Sequence, residues 1–320
     1  MLVKAINQGI VLANNIKIIT IQSIGDARIQ KKLKKAPIVN DNVSNIHRAV
    51  ANIFSDKPLN TFPTDVYGFS QFNQAEMLIE IFKVINSTNN YFVEFGARRP
   101  GILNSSYFRI NKGWCGLLLD GAPGESPNGG SWNFEDIQEL LNNDDDSNCR
   151  LRKEFITVEN INKIFNKYNV PETFDLLTID IDKNDYWIAR SILENKQFFP
   201  RVVCIEYSSF FNSDENYVPQ YKFDNVWMGY PNITGSSLVS LYELFKFYNY
   251  SYVGNSAGEH AIFILNSELP TKYQNMDIPY KTASGWQYNE RLKIGYLSLD
   301  LFETYLNTET NDKWIHPPSL

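Results

Sequence analysis

The sequence predicts an α/β protein: a doubly wound sheet, mostly parallel, with an antiparallel strand near its end. Three observations predict it. Short apolar runs recur along the chain, at 91–95, 114–119, 154–158, 174–179 and 201–206. Segments with apolar residues at helical spacing lie between them. The last two runs, 250–253 and 261–265, are joined only by a Gly-containing loop, as in a hairpin. Strands alternating with helices imply a parallel sheet covered on both faces, with right-handed crossovers. The hairpin then places one antiparallel strand in that sheet.

Taken in order, residues 1–60 are weakly patterned, with a candidate strand at 16–20 and a short basic helix at 29–35. They read as an extension, 61–270 as the main domain, and 271–320 as a C-terminal extension. Met77, Leu78, Ile81 and Phe82 share one helix face over 72–85. A strand at 91–95 ends at a Gly, and a helix over 105–112 follows. The run at 114–119 is a buried strand that ends in Asp120-Gly121. Residues 122–133, rich in Gly, Pro and Ser, read as loop. A short helix is expected at 134–141 and a solvated turn at 142–148. Then come a strand at 154–158, a helix at 160–168, a strand at 174–179, a helix at 186–193 and a strand at 201–206. The segment 208–235 has no regular period and many aromatics: Phe210, Phe211, Tyr217, Tyr221, Trp227 and Tyr230. They suit either a lid stacking on a ligand or a small core of their own. An amphipathic helix at 237–248 precedes the hairpin.

Composition narrows the function classes. The chain has 320 residues, 43% hydrophobic and 21% charged, within the usual range for a globular protein. A formal net charge of −6 argues against nucleic-acid binding through a general basic face. The basic run 28–35 reads as a local patch or a solvated helix face. No apolar stretch is long enough for a membrane span, and the N-terminus is a poor signal peptide. Cys115, Cys149 and Cys204 form no CxxC pair and no zinc spacing. Cys115 and Cys204 lie in apolar strand-like runs, so buried free thiols and a cytoplasmic, reducing location are expected. The oligomeric state is not legible.

In open α/β sheets, ligands bind beyond the carboxyl ends of the strands. Four expected strands end in acids: Glu94 before Gly96, Asp120, Asp180 with Asp182, and Glu206. Clustered carboxylates repel unless something pairs them, so a polyhydroxyl or cationic ligand would explain them. Helix capping by each acid is the alternative. Gly96 and Gly101 have the gap of a P-loop, but Ile102-Leu103 follow instead of Lys-Ser/Thr. A dinucleotide fingerprint lacks its middle Gly. S-adenosylmethionine has a ribose, no phosphate and a sulfonium, and fits this acidic pattern best.

The residues Glu94-Phe95-Gly96-Ala97, Leu103-Asn104-Ser105-Ser106 and Gly113 to Gly121 resemble the first motifs of FkbM-type class I methyltransferases. Phe174 to Trp187, which contains Asp180-Ile181-Asp182, is the most specific match. Ser70-Gln71, Thr157 to Ile161, Pro200 to Tyr207 and Gly235 to Leu238 continue it, so the resemblance spans about residues 68–266. Arg98-Arg99-Pro100 and Lys183 depart from the usual pattern. The resemblance implies a seven-stranded Rossmann-like sheet with a reversed last strand. It also implies methyl transfer from S-adenosylmethionine to a hydroxyl, with a small-molecule or glycan acceptor; the alternatives are a non-catalytic methyltransferase-like binding module and an NAD-dependent oxidoreductase, against which the absent middle Gly argues.

Under this reading Glu94 and Gly96 meet the methionine end of the cofactor, and Asp120 takes the ribose hydroxyls. Asn104 and Ser105 bind the cofactor carboxylate, and Asp180 lies beside the methyl donor. Asp182, Glu206 and Asp185 are the catalytic candidates, with Asp182 as base, because a sugar hydroxyl must lose its proton in the transition state. Asp180, Asp182 and Glu206 would also hold a divalent ion such as magnesium or manganese, if one takes part. His260 is either a base or a structural residue of the hairpin.

Overall fold

The computed structural model describes residues 70, 74–97, 103–121, 149–212, 214–225, 233–256, 260–269, 271, 274 and 313–320. All belong to the unit Asp41–Leu320. The elements expected at 16–20, 29–35 and 134–141 and the loop 122–133 lie outside them. So do Arg98, Arg99, Pro100, Trp227 and Tyr230.

The chain runs α1 (Gln74–Ile85), β1 (Tyr91–Phe95), α2 (Ser106–Lys112), β2 (Cys115–Asp120), β3 (Cys149–Lys153) and α3 (Ile161–Lys167). It continues with β4 (Thr173–Ile179), α4 (Asp185–Asn195), β5 (Phe199–Ser208), β6 (Val218–Pro219) and β7 (Ser236–Ser237). Last come α5 (Leu238–Phe247), β8 (Tyr250–Asn255), β9 (His260–Leu265) and β10 (Trp314–Ile315). The main sheet has the order β3-β2-β1-β4-β5-β9-β8. Its first five strands are parallel, and β9 runs antiparallel to both neighbours. The short β7 pairs with the end of β5. This is the doubly wound, mostly parallel sheet expected, with the reversed strand inserted between β5 and β8. The strand order reverses between β1 and β4, which is where such sheets take ligands.

Strand residues alternate between two apolar cores, as a period of two requires. One face presents Val93, Phe95, Leu117, Leu119, Leu177, Ile179, Val203, Ile205 and Phe263 to α3, α4 and α5. The other presents Phe92, Leu118, Leu176, Val202, Cys204, Ile262 and Ile264 to α1 and Phe108. Helix α1 buries Met77, Leu78, Ile81 and Phe82 there, the face that the spacing predicts. Phe82 packs edge-on against Phe108 and Trp114, which ties α1 and α2 to one aromatic cluster.

One expectation needs correction. The third strand is Cys149–Lys153, not 154–158. It is an outer strand of the sheet path, and of its residues only Leu151 is buried. The more apolar run after it is connection, with Ile156 packed into the first core. Trp314 and Ile315 pair with Pro219 and Val218, and Arg190 donates to the carbonyls of Pro318 and Ser319.

Candidate active site

Register and alternation put the strand-end acids on one face. Glu94 lies opposite Leu118 and Thr178, so Asp120 and Asp180, two residues on along the adjoining strands, point the same way. Thr178 pairs with Cys204, so Glu206 follows on that face, and Glu206 pairs with His260. All therefore lie at the carboxyl edge, on the side of the sheet that α1 covers. Asp180, Asp182 and Glu206 each bring a carboxylate oxygen to within 4.8 Å of the others. Glu94 is close enough that the Asp180 charge pushes up its pKa.

Each acid is held by its own element. Glu94 accepts from the Asn104 and Ser105 amides at 2.8 and 2.9 Å and from the Ser105 hydroxyl. These donors pull its pKa down, but complete burial outweighs them and leaves it raised. The two amides expected to meet the cofactor carboxylate are thus already directed at Glu94. They fasten the loop before α2 to β1. Cys204 lies under the same acids. Burial and the charges of Glu94 and Asp180 push its thiol well up, which keeps it unreactive.

The loop after β4 is tightly determined. Asp182 has φ +71°, an uncommon conformation that Asp tolerates better than most residues. Its carbonyl accepts from Gly235 at 2.8 Å, and the Lys183 ammonium donates to Ile233 at 2.7 Å. Lys183 is buried. Thr234, in the same bracing segment, donates to Glu206 at 2.9 Å. Gly96 also has positive φ, and a Cβ there would lie 2.0 Å from the Asp180 carbonyl. The close approach that requires a glycine is therefore one between two strand ends of the protein itself.

Asp185 does not join the open cluster. It is fully buried at the start of α4, and one carboxylate oxygen accepts from Ile181 at 2.8 Å. The other oxygen is buried without a hydrogen-bond partner among the described residues. Burial first, then the charges of Asp180 and Asp182, raise its pKa to about 8. It holds the loop from behind rather than reaching outward.

His260 and Gln74 complete this side of the site. His260 lies 3.4 Å from Asp180, and its other ring nitrogen lies 2.9 Å from the Gln74 amide. Nothing in the sequence singles out Gln74. His260 opens the last strand, and that position was the only available signal. The aromatic segment makes a small core of its own. Phe210, Phe211, Tyr217 and Ile233 cluster with Trp314. Tyr221 accepts from the Val158 amide and donates to Glu159. Phe210, Phe211 and Tyr217 are thus committed inside the protein rather than serving as a lid, whereas Tyr221 is half-buried.

No family model matches the chain, and no curated protein matches it. Among solved structures it is similar to the O-methyltransferase from Bacillus cereus in complex with SAH. That match has 13% identity, 74% of this chain, 97% of the other and a TM-score of 0.35. It is also similar to NcsB1, an O-methyltransferase from neocarzinostatin biosynthesis, in complex with SAH and 1,4-dihydroxy-2-naphthoic acid. There the identity is 11%, with 69% and 68% of the two chains covered and a TM-score of 0.32. The METTL16 methyltransferase domain is a further match, at 10% identity, 70% and 79% coverage and a TM-score of 0.36. At these values the likeness assigns no activity; the strand order defines the fold. Among the described residues no helix is long and apolar enough to cross a membrane.

Proposed function

We propose that the chain is an S-adenosylmethionine-dependent methyltransferase acting on a hydroxyl of a small-molecule or glycan acceptor. The observation that carries this reading is the placement of Glu94, Asp120, Asp180 and Glu206 on one face at the carboxyl edge, beside the reversal of strand order. When bound, the cofactor supplies an activated methyl group. Asp120 would hold the ribose diol. Glu94 would shape the loop around the methionine end. Asp180, partly open, would face the positive centre. Asp182 and Glu206 would hold the acceptor hydroxyl and take its proton as oxygen attacks the methyl carbon. Holding the two reactants in line supplies much of the remaining acceleration.

The three clustered carboxylates also fit a divalent ion. They offer hard oxygen donors at suitable spacing. Asp180, Asp182 and Glu206 would hold magnesium or manganese, which would lower the pKa of the acceptor hydroxyl.

The test is calorimetric titration with S-adenosylmethionine, repeated with magnesium and after chelation. The wild-type protein is expected to bind. Asp120→Ala should lose about tenfold in affinity, the effect of one strong hydrogen bond to a charged group. A wild-type protein that does not bind, or an Asp120→Ala variant that binds equally well, would sink the assignment.

A further inference from the structure

Resting on that reading, a chain of three side chains from three separate elements bears on how the cofactor is recognised. Gln74 is the first residue of α1, His260 the first of β9, and Asp180 follows β4 directly. Gln74 and His260 are 1% and 3% exposed, whereas the Asp180 side chain is 39% exposed. We infer that Gln74 and His260 are positioning residues that fix the Asp180 carboxylate toward the sulfonium of S-adenosylmethionine, and so favour the charged cofactor over its thioether product.

The hydrogen-bond directions are mutually consistent. One ring nitrogen of His260, Nδ1, lies 2.9 Å from Gln74 Nε2, and the other, Nε2, lies 3.4 Å from Asp180 Oδ2. A carboxylate oxygen only accepts, so the facing ring nitrogen must carry the proton to avoid opposed lone pairs. A neutral imidazole protonated at Nε2 accepts at Nδ1, and the Gln74 amide supplies that donor. The 3.4 Å separation is long for a hydrogen bond. Contacts of this kind commonly tighten when the ligand arrives.

His260 has little freedom to move away. Its amide donates to the Ser256 hydroxyl at 3.1 Å, its carbonyl accepts from the Ser256 amide at 2.7 Å, and β9 pairs it with Glu206. Asp180 needs such an anchor. Asp182 and Glu206 bring carboxylate oxygens to within 4.8 Å of its own, and their repulsion would swing it outward. A structural histidine at this position would need only the Gln74 contact. Its second nitrogen instead faces the partly exposed Asp180 carboxylate. Orientation of a charge matters most to a charged ligand. S-adenosylhomocysteine lacks the sulfonium, so it should sense Asp180 less.

The experiment is calorimetry of the full chain with S-adenosylmethionine and with S-adenosylhomocysteine. It compares wild type with His260→Phe, His260→Gln and Gln74→Leu. His260→Phe should weaken S-adenosylmethionine about tenfold more than S-adenosylhomocysteine, matching the loss of one hydrogen bond to a charged group. His260→Gln should recover most of that difference, because its Nε2 replaces the ring Nε2–H. Gln74→Leu should fall between. The chain has three histidines, so nitrogen-15 spectra of the wild type can read the His260 tautomer directly, even should His260→Phe fail to fold. A proton on Nδ1, or a His260→Phe variant that keeps the wild-type affinity ratio, overturns the inference while cofactor binding stands. A wild-type protein that binds neither compound removes the methyltransferase reading itself, and the inference with it.

Discussion

The two ends of the central sheet treat acids in opposite ways. At the amino end, Asp175 is fully buried and surrounded by donors. It accepts from the amides of Thr88, Asn89 and Asn90, from the Thr88 hydroxyl, and from Arg201 at 2.6 Å. Arg201 also bridges to Glu268 and to the carbonyls at the end of α1. At the carboxyl end, Asp180, Asp182 and Glu206 face one another. The first arrangement is complete within the protein. The second carries a repulsion that a ligand would relieve. A fold that can neutralise an acid so fully at one end does not crowd three at the other by chemical necessity.

That contrast can be broken in four ways, from the largest expected effect to the smallest. Arg201→Met should cost about 3–5 kcal/mol, because it strands the Asp175 charge in the core. Urea unfolding would read this as a lower midpoint. Gly96→Ala should cost about 1–3 kcal/mol, since it combines positive φ with a clash against the Asp180 carbonyl. Its denaturation midpoint should fall, with cofactor affinity falling too. Asp182→Asn should do the reverse for stability. It should raise the melting temperature by relieving repulsion, by an amount on the order of 1 kcal/mol, while abolishing methyl transfer.

The fourth is a pH series on Asp185→Asn. The native Asp185 keeps its proton up to about pH 8, whereas the unfolded chain releases it near 3.8. Native stability from this group is therefore full below the unfolded value, declines as pH rises toward 8, and levels off beyond. Asp185→Asn lacks that decline. Its melting temperature should gain on wild type across that window and then hold a constant lead. A lead that does not change with pH would show that Asp185 is ionised in the native protein.

The sheet was legible because its strands obey simple periods. The runs around Val93, Leu118, Leu177 and Val203 are too apolar to be anything but buried strands. That strands end in Glu94, Asp120, Asp180 and Glu206 could be read from the sequence; that these acids share one face needed the register. The third strand was not legible, because an edge strand reading Cys-Arg-Leu-Arg-Lys needs only Leu151 to be apolar. The pairing of Trp314 and Ile315 with β6 was hidden for a similar reason: two residues have no period. Within the site, residue type did not reveal direction. The Asn104 and Ser105 amides suit a ligand carboxylate as well as they suit Glu94. Gln74 and His260 lie 186 residues apart, and nothing local announces that they meet. Asp185 stands in the sequence like the other acids, and only the structure shows that it is fully buried behind them.

The insertion of β9 has a consequence for how the chain is made. Among the described residues it is the last long strand to leave the ribosome, yet it belongs between β5 and β8. Until residue 265 has emerged, β5 has an open edge, and His260 cannot reach Asp180. Nascent chains halted before that point should be prone to aggregate and blind to the cofactor. Chains a few dozen residues longer should acquire both solubility and binding in one step.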